Sequence, residues 1–296
     1  MGRNENVKLP GGYAENAGPY ARRLAERVLT TRGVARRPVI VGMSGAQGSG
    51  KTTFAHFFAE WLGREDGVYA VCFSLDDVYL TKSEREELAR RVHPLLETRG
   101  VPGTHDVALA HRVLDALTHP GAARKVAVPA FDKATDDRSP ERDWRRVDAP
   151  VDVVLFEGWC VGARPQSPEA LGDPVNEVEA AEDGDAVWRT GVNERLRTDY
   201  AELFARLDML IMLRVPSFDS VFEWRALQER KLRERLQDAP AESEGSSGLS
   251  ASGLRRFIRH YERLTRHMLE TMPAYADVVI DIDANHRMTG SRAVRG

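Results

Sequence analysis

Gly45, Ala46, Gln47, Gly48, Ser49, Gly50, Lys51 and Thr52 run in the order G-x-x-x-x-G-K-T, a glycine-rich loop that works only between a strand and the first turn of a helix. Its glycines let successive backbone N–H groups turn inward around the α- and β-phosphates of a nucleotide. Lys51 then reaches the β/γ-phosphates and the Thr52 hydroxyl is placed to hold Mg²⁺. The flanking residues supply the required context. Arg37-Pro38-Val39-Ile40-Val41-Gly42 reads as a buried strand, and Phe54, Phe57, Phe58, Trp61 and Leu62 recur at helical spacing after the loop. A phosphate would sit at that helix N-terminus. The pattern predicts a nucleoside triphosphate site formed by Gly45 through Thr52 together with Thr53.

The rest of the chain predicts the sheet that carries such a loop. A second strand at 69–74 ends in Leu75-Asp76-Asp77-Val78-Tyr79. The segment 125–131 reads as a strand, with Pro129 arguing for an edge, and 151–156 as a cleaner buried strand followed by Glu157-Gly158-Trp159. Further strands are expected at 209–213 and 277–281. Helices are expected at 19–32, 83–91, 106–117 (Asp106 as N-cap), 193–206 and 217–237, and a last amphipathic one carries Leu254, Phe257, Ile258, Tyr261, Leu264 and Met268. Strands alternating with helices predict an α/β fold, a doubly wound, mostly parallel sheet with helical insertions. A single domain over 18–284 is expected, with a flexible arm at 1–17, a mobile Pro/Glu/Ser/Gly-rich loop at 239–253 and a frayed tail at 285–296.

A net charge of −3 gives no electrostatic case for nucleic acid or an anionic membrane, so an anionic substrate must be met by local basic groups. No apolar run approaches membrane-spanning length. Cys72 and Cys160 have no metal or redox spacing and read as buried small hydrophobes of a reducing compartment; a cytoplasmic location is expected. No His/Cys set has zinc spacing.

Ligands of such sheets lie at the carboxyl ends of the strands, where two carboxylate groups fall. Asp76 is suited to act as base toward an acceptor hydroxyl or to a metal-linked role, Asp77 to capping a helix, and Glu157 to holding a water of the metal or positioning substrate. The metal set is thus Thr52, Asp76 and Glu157. The helix after Pro216 carries Arg225, Arg230, Lys231, Arg233 and Arg235, which would close over the γ-phosphate; Arg225 is favoured because it lies nearest the strand end. Arg99, His105, Lys133, Arg138 and Arg142 flank Gly- and Pro-bearing loops and are candidates for an anionic acceptor.

These strings resemble a known group. Ser74-Leu75-Asp76-Asp77-Val78-Tyr79 is similar to the S-x-D-x-F-Y segment of the uridine kinase, phosphoribulokinase and pantothenate kinase group, with Val78 where Phe is common. In that group the Asp matching Asp76 acts as base. Arg99-Gly100-Val101-Pro102-Gly103-Thr104-His105-Asp106 resembles the R-G-x-P-x-x-x-D segment of pantothenate kinases. The closer resemblance is to D-glycerate 3-kinases of the plant and fungal type and their bacterial relatives. It is carried by Val92-His93-Pro94, Pro129-Ala130-Phe131-Asp132-Lys133, Asp136-Asp137-Arg138, Phe156-Glu157-Gly158-Trp159-Cys160-Val161-Gly162-Ala163, Trp188-Arg189, Val192-Asn193 and Pro216-Ser217-Phe218, in order from about residue 38 to 283. The 239–253 loop has no counterpart in that pattern.

The resemblance implies ATP, Mg²⁺ and transfer of a phosphoryl group to the 3-hydroxyl of D-glycerate, with Lys51, Asp76, Glu157 and Arg225 as catalytic residues. Uridine, pantothenate or another small hydroxylated acceptor is the alternative. A GTPase switch is disfavoured, because the guanine-reading N/T-K-x-D is absent and the nearest string, Thr81-Lys82-Ser83-Glu84, lacks the Asp.

Overall fold

Runs of β-branched and aromatic residues put both faces of the central strands into apolar surroundings, and the fold follows from covering them. A computed structural model describes residues 9–119, 121, 125–226 and 251–294. Helix α1 (Tyr13–Ala35) precedes strand β1 (Val39–Gly45), every residue of which is buried. The glycine loop leads into α2 (Lys51–Asp66), then β2 (Ala70–Ser74), α3 (Lys82–Arg91) and α4 (Val107–Thr118).

Four short strands follow: β3 (Lys125–Val128), β4 (Phe131–Asp132), β5 (Asp137–Arg138) and β6 (Arg145–Asp148). Then come β7 (Val153–Gly158), α5 (Glu177–Glu182), α6 (Val187–Arg197), α7 (Asp199–Phe204) and β8 (Met209–Arg214). Helix α8 occupies 218–226 among the described residues, followed by α9 (Ala251–Thr271), β9 (Val278–Ile282) and β10 (Met288–Ala293).

Six strands form the main sheet in the order β10-β9-β8-β1-β7-β2. β1 is parallel to both β7 and β8, β2 to β7, and β9 to β8; β10 alone is antiparallel. Side chains alternate between two cores, as strands buried on both faces require. Ile40, Val154, Phe156, Phe73 and Met212 face α4 and α9. Val41, Met43, Leu155 and Ile211 face α1 and the Phe54, Phe58 and Leu62 side of α2. The expected doubly wound α/β sheet is therefore present, and the helix after the glycine loop buries the residues its period selected. Cys72 and Cys160 are buried free thiols, as expected. Among the described residues no helix is long and apolar enough to cross a membrane.

Several boundaries differ from the sequence expectation. The first helix begins at Tyr13, not at Pro19, so 13–17 is not an arm. The small residues Ala17, Gly18 and Ala21 let this helix lie close against α2, and the Tyr13 ring meets Phe57 edge-on at 5.6 Å; that burial outweighs an internal proline. The polar tail from Asn285 is not frayed through its length, because β10 pairs with β9 and buries Met288. Asn16 fixes it from α1, donating Nδ2–H to the Met288 carbonyl at 3.0 Å and accepting the Met288 N–H at 2.9 Å.

The segment 125–131 stays outside the main sheet: Pro129 divides β3, which pairs with β6, from β4, which pairs with β5. The helix expected at 193–206 is two, α6 and α7, separated at Thr198. Residues 1–8 of the expected arm, most of the loop at 239–253, and Arg230, Lys231, Arg233 and Arg235 lie outside the described residues.

Truncation after Arg287 removes Met288 from the core and leaves β9 as an edge. Loss of one buried Met costs about 2–5 kcal/mol, so the melting temperature should fall by about 5 °C or more. Thermal melts of the two lengths check this, and equal midpoints would contradict a load on β10.

Candidate active site

Strand register assembles the site. Ser44, at the end of β1, lies beside Gly158 of β7, and Ser74, the last residue of β2, lies beside Glu157. The glycine loop, Glu157 and the Leu75–Tyr79 turn therefore leave the same edge of the sheet side by side. In the loop Gly48 and Gly50 take φ of 80° and 84°, the left-handed region open to glycine. Gln47 Oε1 and Ser49 Oγ are buried there with no hydrogen-bond partner, polar atoms a bound phosphate group would meet.

The turn after β2 is held by a capping box. Ser74 Oγ accepts the Asp76 N–H at 3.2 Å, and Asp77 Oδ2 accepts the Ser74 N–H at 3.2 Å. Asp77 thus has the capping contact expected of it. Asp76 is turned the other way, with Oδ1 accepting from the Tyr79 hydroxyl at 2.7 Å and Oδ2 lying 3.2 Å from Lys133 Nζ. Burial pushes the two acids upward alike, but their neighbours separate them. The charges of Lys133 and Lys51 and the Tyr79 hydrogen bond override burial and hold the Asp76 carboxyl far below the usual range. Burial, then the charge of Glu157, pushes Asp77 up to about 7.

Asp76 and Lys133 form the wall between two cavities of opposite character. One cavity has a volume of about 310 Å³ and bears the carboxylates of Asp76, Asp77, Asp143 and Glu157 against the cations of Lys133 and Arg145. Thr52 opens on it and donates its hydroxyl to Glu157 Oε1 at 3.0 Å, while Glu157 Oε2 is buried without a partner. A hydroxyl and an unsatisfied carboxylate oxygen beside the phosphate loop are hard oxygen donors of the kind Mg²⁺ takes. The second cavity is smaller, about 80 Å³, and among the described residues bears Lys51, Arg99, Lys133 and Arg225 against the single carboxylate of Asp76, with Gln47 and aromatic rings beside them. A third, open cleft of about 930 Å³ flanks the other side of the loop. It takes in Gly48, Ser49, Gly50 and Thr53 and is bounded by Tyr13, Tyr20 and the Trp224–His286 ring pair, whose centroids lie 4.2 Å apart.

Of the candidate acceptor residues, Arg99 and Lys133 reach the cationic cavity and three others do not. The Arg99 guanidinium is paired with Asp136 and lies over the Phe131 ring at 5.4 Å. Arg138 is spent on the chain itself, donating from Nε and Nη2 to the Tyr79 carbonyl at 3.1 and 2.7 Å, which steadies the turn that presents Asp76. His105 is buried beneath Tyr79, stacked on that ring at 4.6 Å, with Nδ1 2.6 Å from the Tyr200 hydroxyl. The same hydroxyl accepts the Gly103 N–H at 3.0 Å, and burial lowers His105 to about 3, so the ring is neutral. Arg142 is exposed and pairs with Asp143.

Sequence reasoning passed over Tyr79, Trp159, Phe257 and Tyr261 as site residues, although all four line the cationic cavity. Tyr79 and Trp159 sit within the motif strings already singled out, a signal that was available. Phe257 and Tyr261 read as ordinary inward positions of an amphipathic helix. Arg85 was also missed. Wholly buried, it donates to the carbonyls of Leu80 and Glu97 and to both the carbonyl and the carboxylate of Asp136, joining α3 to the hairpin that carries Lys133.

Comparison with known proteins agrees with this fold. Residues 40–163 match the model of the phosphoribulokinase/uridine kinase family. An uncharacterized kinase, mug58, of Schizosaccharomyces pombe is 35% identical over 76% of this chain and 79% of its own length. The chloroplastic D-glycerate 3-kinase of Arabidopsis thaliana is 29% identical over 83% of this chain, which spans 53% of that enzyme. The solved D-glycerate 3-kinase of Cryptococcus neoformans superposes with a TM-score of 0.74 at 25% identity, covering 93% of this chain and 99% of that one.

The buried histidines give a pH test. Burial lowers His105 to about 3 and His260 to about 4, so the unfolded chain takes up protons near the ordinary value of 6.5 that the folded chain refuses. The contribution of these two histidines is full above that value and should fall as pH drops from 6.5 towards 4. The melting temperature should decline across that range, less steeply in His260→Gln; equal slopes would show that His260 carries none of it.

Proposed function

The chain belongs to the phosphoribulokinase/uridine kinase family of P-loop kinases, and on that premise we propose that it is an ATP-dependent D-glycerate 3-kinase. It would transfer the γ-phosphoryl group of ATP to the 3-hydroxyl of D-glycerate, giving 3-phosphoglycerate and ADP. The observation that carries this reading is the partition of charge about Asp76. Among the described residues the cavity on the Lys51 side gathers four cations against one carboxylate within about 80 Å³, which favours a small anionic acceptor and leaves little room for a nucleoside or a long apolar chain. The homologous D-glycerate 3-kinases point to the same acceptor class.

The triphosphate would lie in the glycine loop, with its base in the large cleft against Trp224 and His286 and its γ-phosphate toward Lys51 and Arg225. Thr52 and Glu157 would hold Mg²⁺, which neutralises charge on the phosphates when bound. Asp76, ionised at any working pH, accepts a hydrogen bond from the attacking hydroxyl and orients it in line with the γ-phosphorus. Phosphoryl transfer passes through a loose transition state in which little covalent chemistry falls to the protein, so a strongly depressed carboxylate suffices to take the proton late. Arg99 and Lys133 supply charge-assisted partners for the acceptor carboxylate, and Lys51 and Arg225 stabilise charge spread over the transferred group.

ADP release from Mg-ATP, measured with D-glycerate, L-glycerate, uridine, pantothenate and no acceptor, tests the reading; stimulation by D-glycerate is expected, and stimulation by another member alone would move the acceptor. Asp76→Asn should keep ATP binding and lose about 10²-fold or more in turnover, the size expected for a group that handles the proton. Near-full turnover in that variant would remove Asp76 from the role. Lys51→Ala should impair turnover with every acceptor alike, and a loss confined to one acceptor would contradict a γ-phosphate role.

A further inference from the structure

The cationic cavity is closed on one side by aromatic residues bound to the backbone that carries Arg99. Tyr261, on α9, donates its hydroxyl to the Arg99 carbonyl at 2.9 Å, and Trp159 donates its indole N–H to the next carbonyl, that of Gly100, at 2.8 Å. The two rings meet edge-on at 4.9 Å, and Phe257, one turn earlier on α9, lies 5.1 Å from the Tyr261 ring. Gly100 itself has φ of 130°, and a Cβ there would stand 2.0 Å from the Tyr261 hydroxyl oxygen. The Tyr261 side chain thus fills the space a side chain at position 100 would take. Its phenol is buried, yet it is close enough to Asp76, Arg99 and Arg225 for all three charges to act on it. Those are the groups between which the acceptor must fit.

Resting on the glycerate kinase reading, we infer that Tyr261 is a specificity-determining residue: its ring is the wall that limits the acceptor to a three-carbon acid. The same residue positions Arg99 through the carbonyl of Arg99 itself. The two contributions are separable. The ring excludes a longer acceptor by volume, since a wall tied to the Arg99 carbonyl and packed on Trp159, itself bound to the Gly100 carbonyl, cannot retreat without breaking those contacts. The hydroxyl fixes the backbone from which the Arg99 guanidinium projects, and so acts on acceptor binding. A rigid, filled wall discriminates between homologues by about 10–200-fold per added carbon unit, the range a close-fitting pocket supports.

The test compares wild type, Tyr261→Ala and Tyr261→Phe with saturating Mg-ATP, measuring kcat and KM for D-glycerate and for D-erythronate, the acid one hydroxymethylene longer. Tyr261→Ala should raise the erythronate-to-glycerate ratio of kcat/KM by about 10-fold or more. Tyr261→Phe, which keeps the ring and loses the anchor, should leave that ratio within about 2-fold while raising the KM for D-glycerate more than it lowers kcat. An unchanged ratio in a Tyr261→Ala protein that still binds Mg-ATP overturns the gate and leaves the glycerate kinase reading standing. If Tyr261→Ala fails to melt cooperatively, Phe257→Ala opens the same cavity from the neighbouring turn and must raise the ratio in its place; no change there overturns the inference equally. Wild-type protein that turns over another acceptor and not D-glycerate overturns the reading beneath it.

Discussion

The parallel pairing of β1 with β7, and of β7 with β2, is the constraint on which the site depends. Parallel neighbours end at the same edge, so every loop that follows them starts from one line. Ser44 beside Gly158 and Ser74 beside Glu157 fix the offsets along that line to a residue. Because side chains alternate with a period of two, a slip of one residue in β7 would turn Glu157 away from Thr52 and drive Phe156 into the opposite core. The buried alternation of Val154, Phe156, Val153 and Leu155 into separate cores prevents that slip. Apolar packing remote from any ligand therefore sets the distance between a hydroxyl and a carboxylate at the site.

Once placed, the acids differ by surroundings rather than by kind. Asp76 and Asp77 are adjacent and both burdened by burial, yet one faces Lys133 and Lys51 and the other faces Glu157. A turn of four residues is enough to send them to opposite fates. Its geometry is secured from outside by Arg138 on the Tyr79 carbonyl and from beneath by the neutral His105 under the Tyr79 ring. These two residues look basic and loop-borne in the sequence but serve the presentation of Asp76, a positioning role.

Local pattern made the glycine loop, its flanking strand and helix, and the strands at 69–74, 151–156, 209–213 and 277–281 legible, because a strand buried on both faces is an unbroken apolar run. Lys51, Asp76, Lys133, Arg99 and Arg225 were legible as candidates, and they do meet in one cavity. His105 and Arg138 were misread because residue type reveals charge but not which backbone carbonyl or hydroxyl already claims it. The C-terminal strand was hidden by its polar residues, since Met288 alone carries its burial and the residue that fixes it from outside the sheet, Asn16, lies 272 positions away. Tyr261 was invisible for a similar reason: its partner Arg99 lies 162 positions earlier, and amphipathic spacing cannot tell a core ring from a pocket ring.

Helix α8 carries Trp224 and Arg225 in succession, the first on the large cleft beside the glycine loop, the second on the small cationic cavity. Successive helical residues point about 100° apart, so a rigid helix cannot roll to advance one side chain without withdrawing the other. Trp224 is moored at the cleft by its indole N–H on the Ala284 carbonyl and by the His286 ring. The helix thus behaves as a cam with one lobe pinned: the mooring of Trp224 sets the angle at which Arg225 is offered next door.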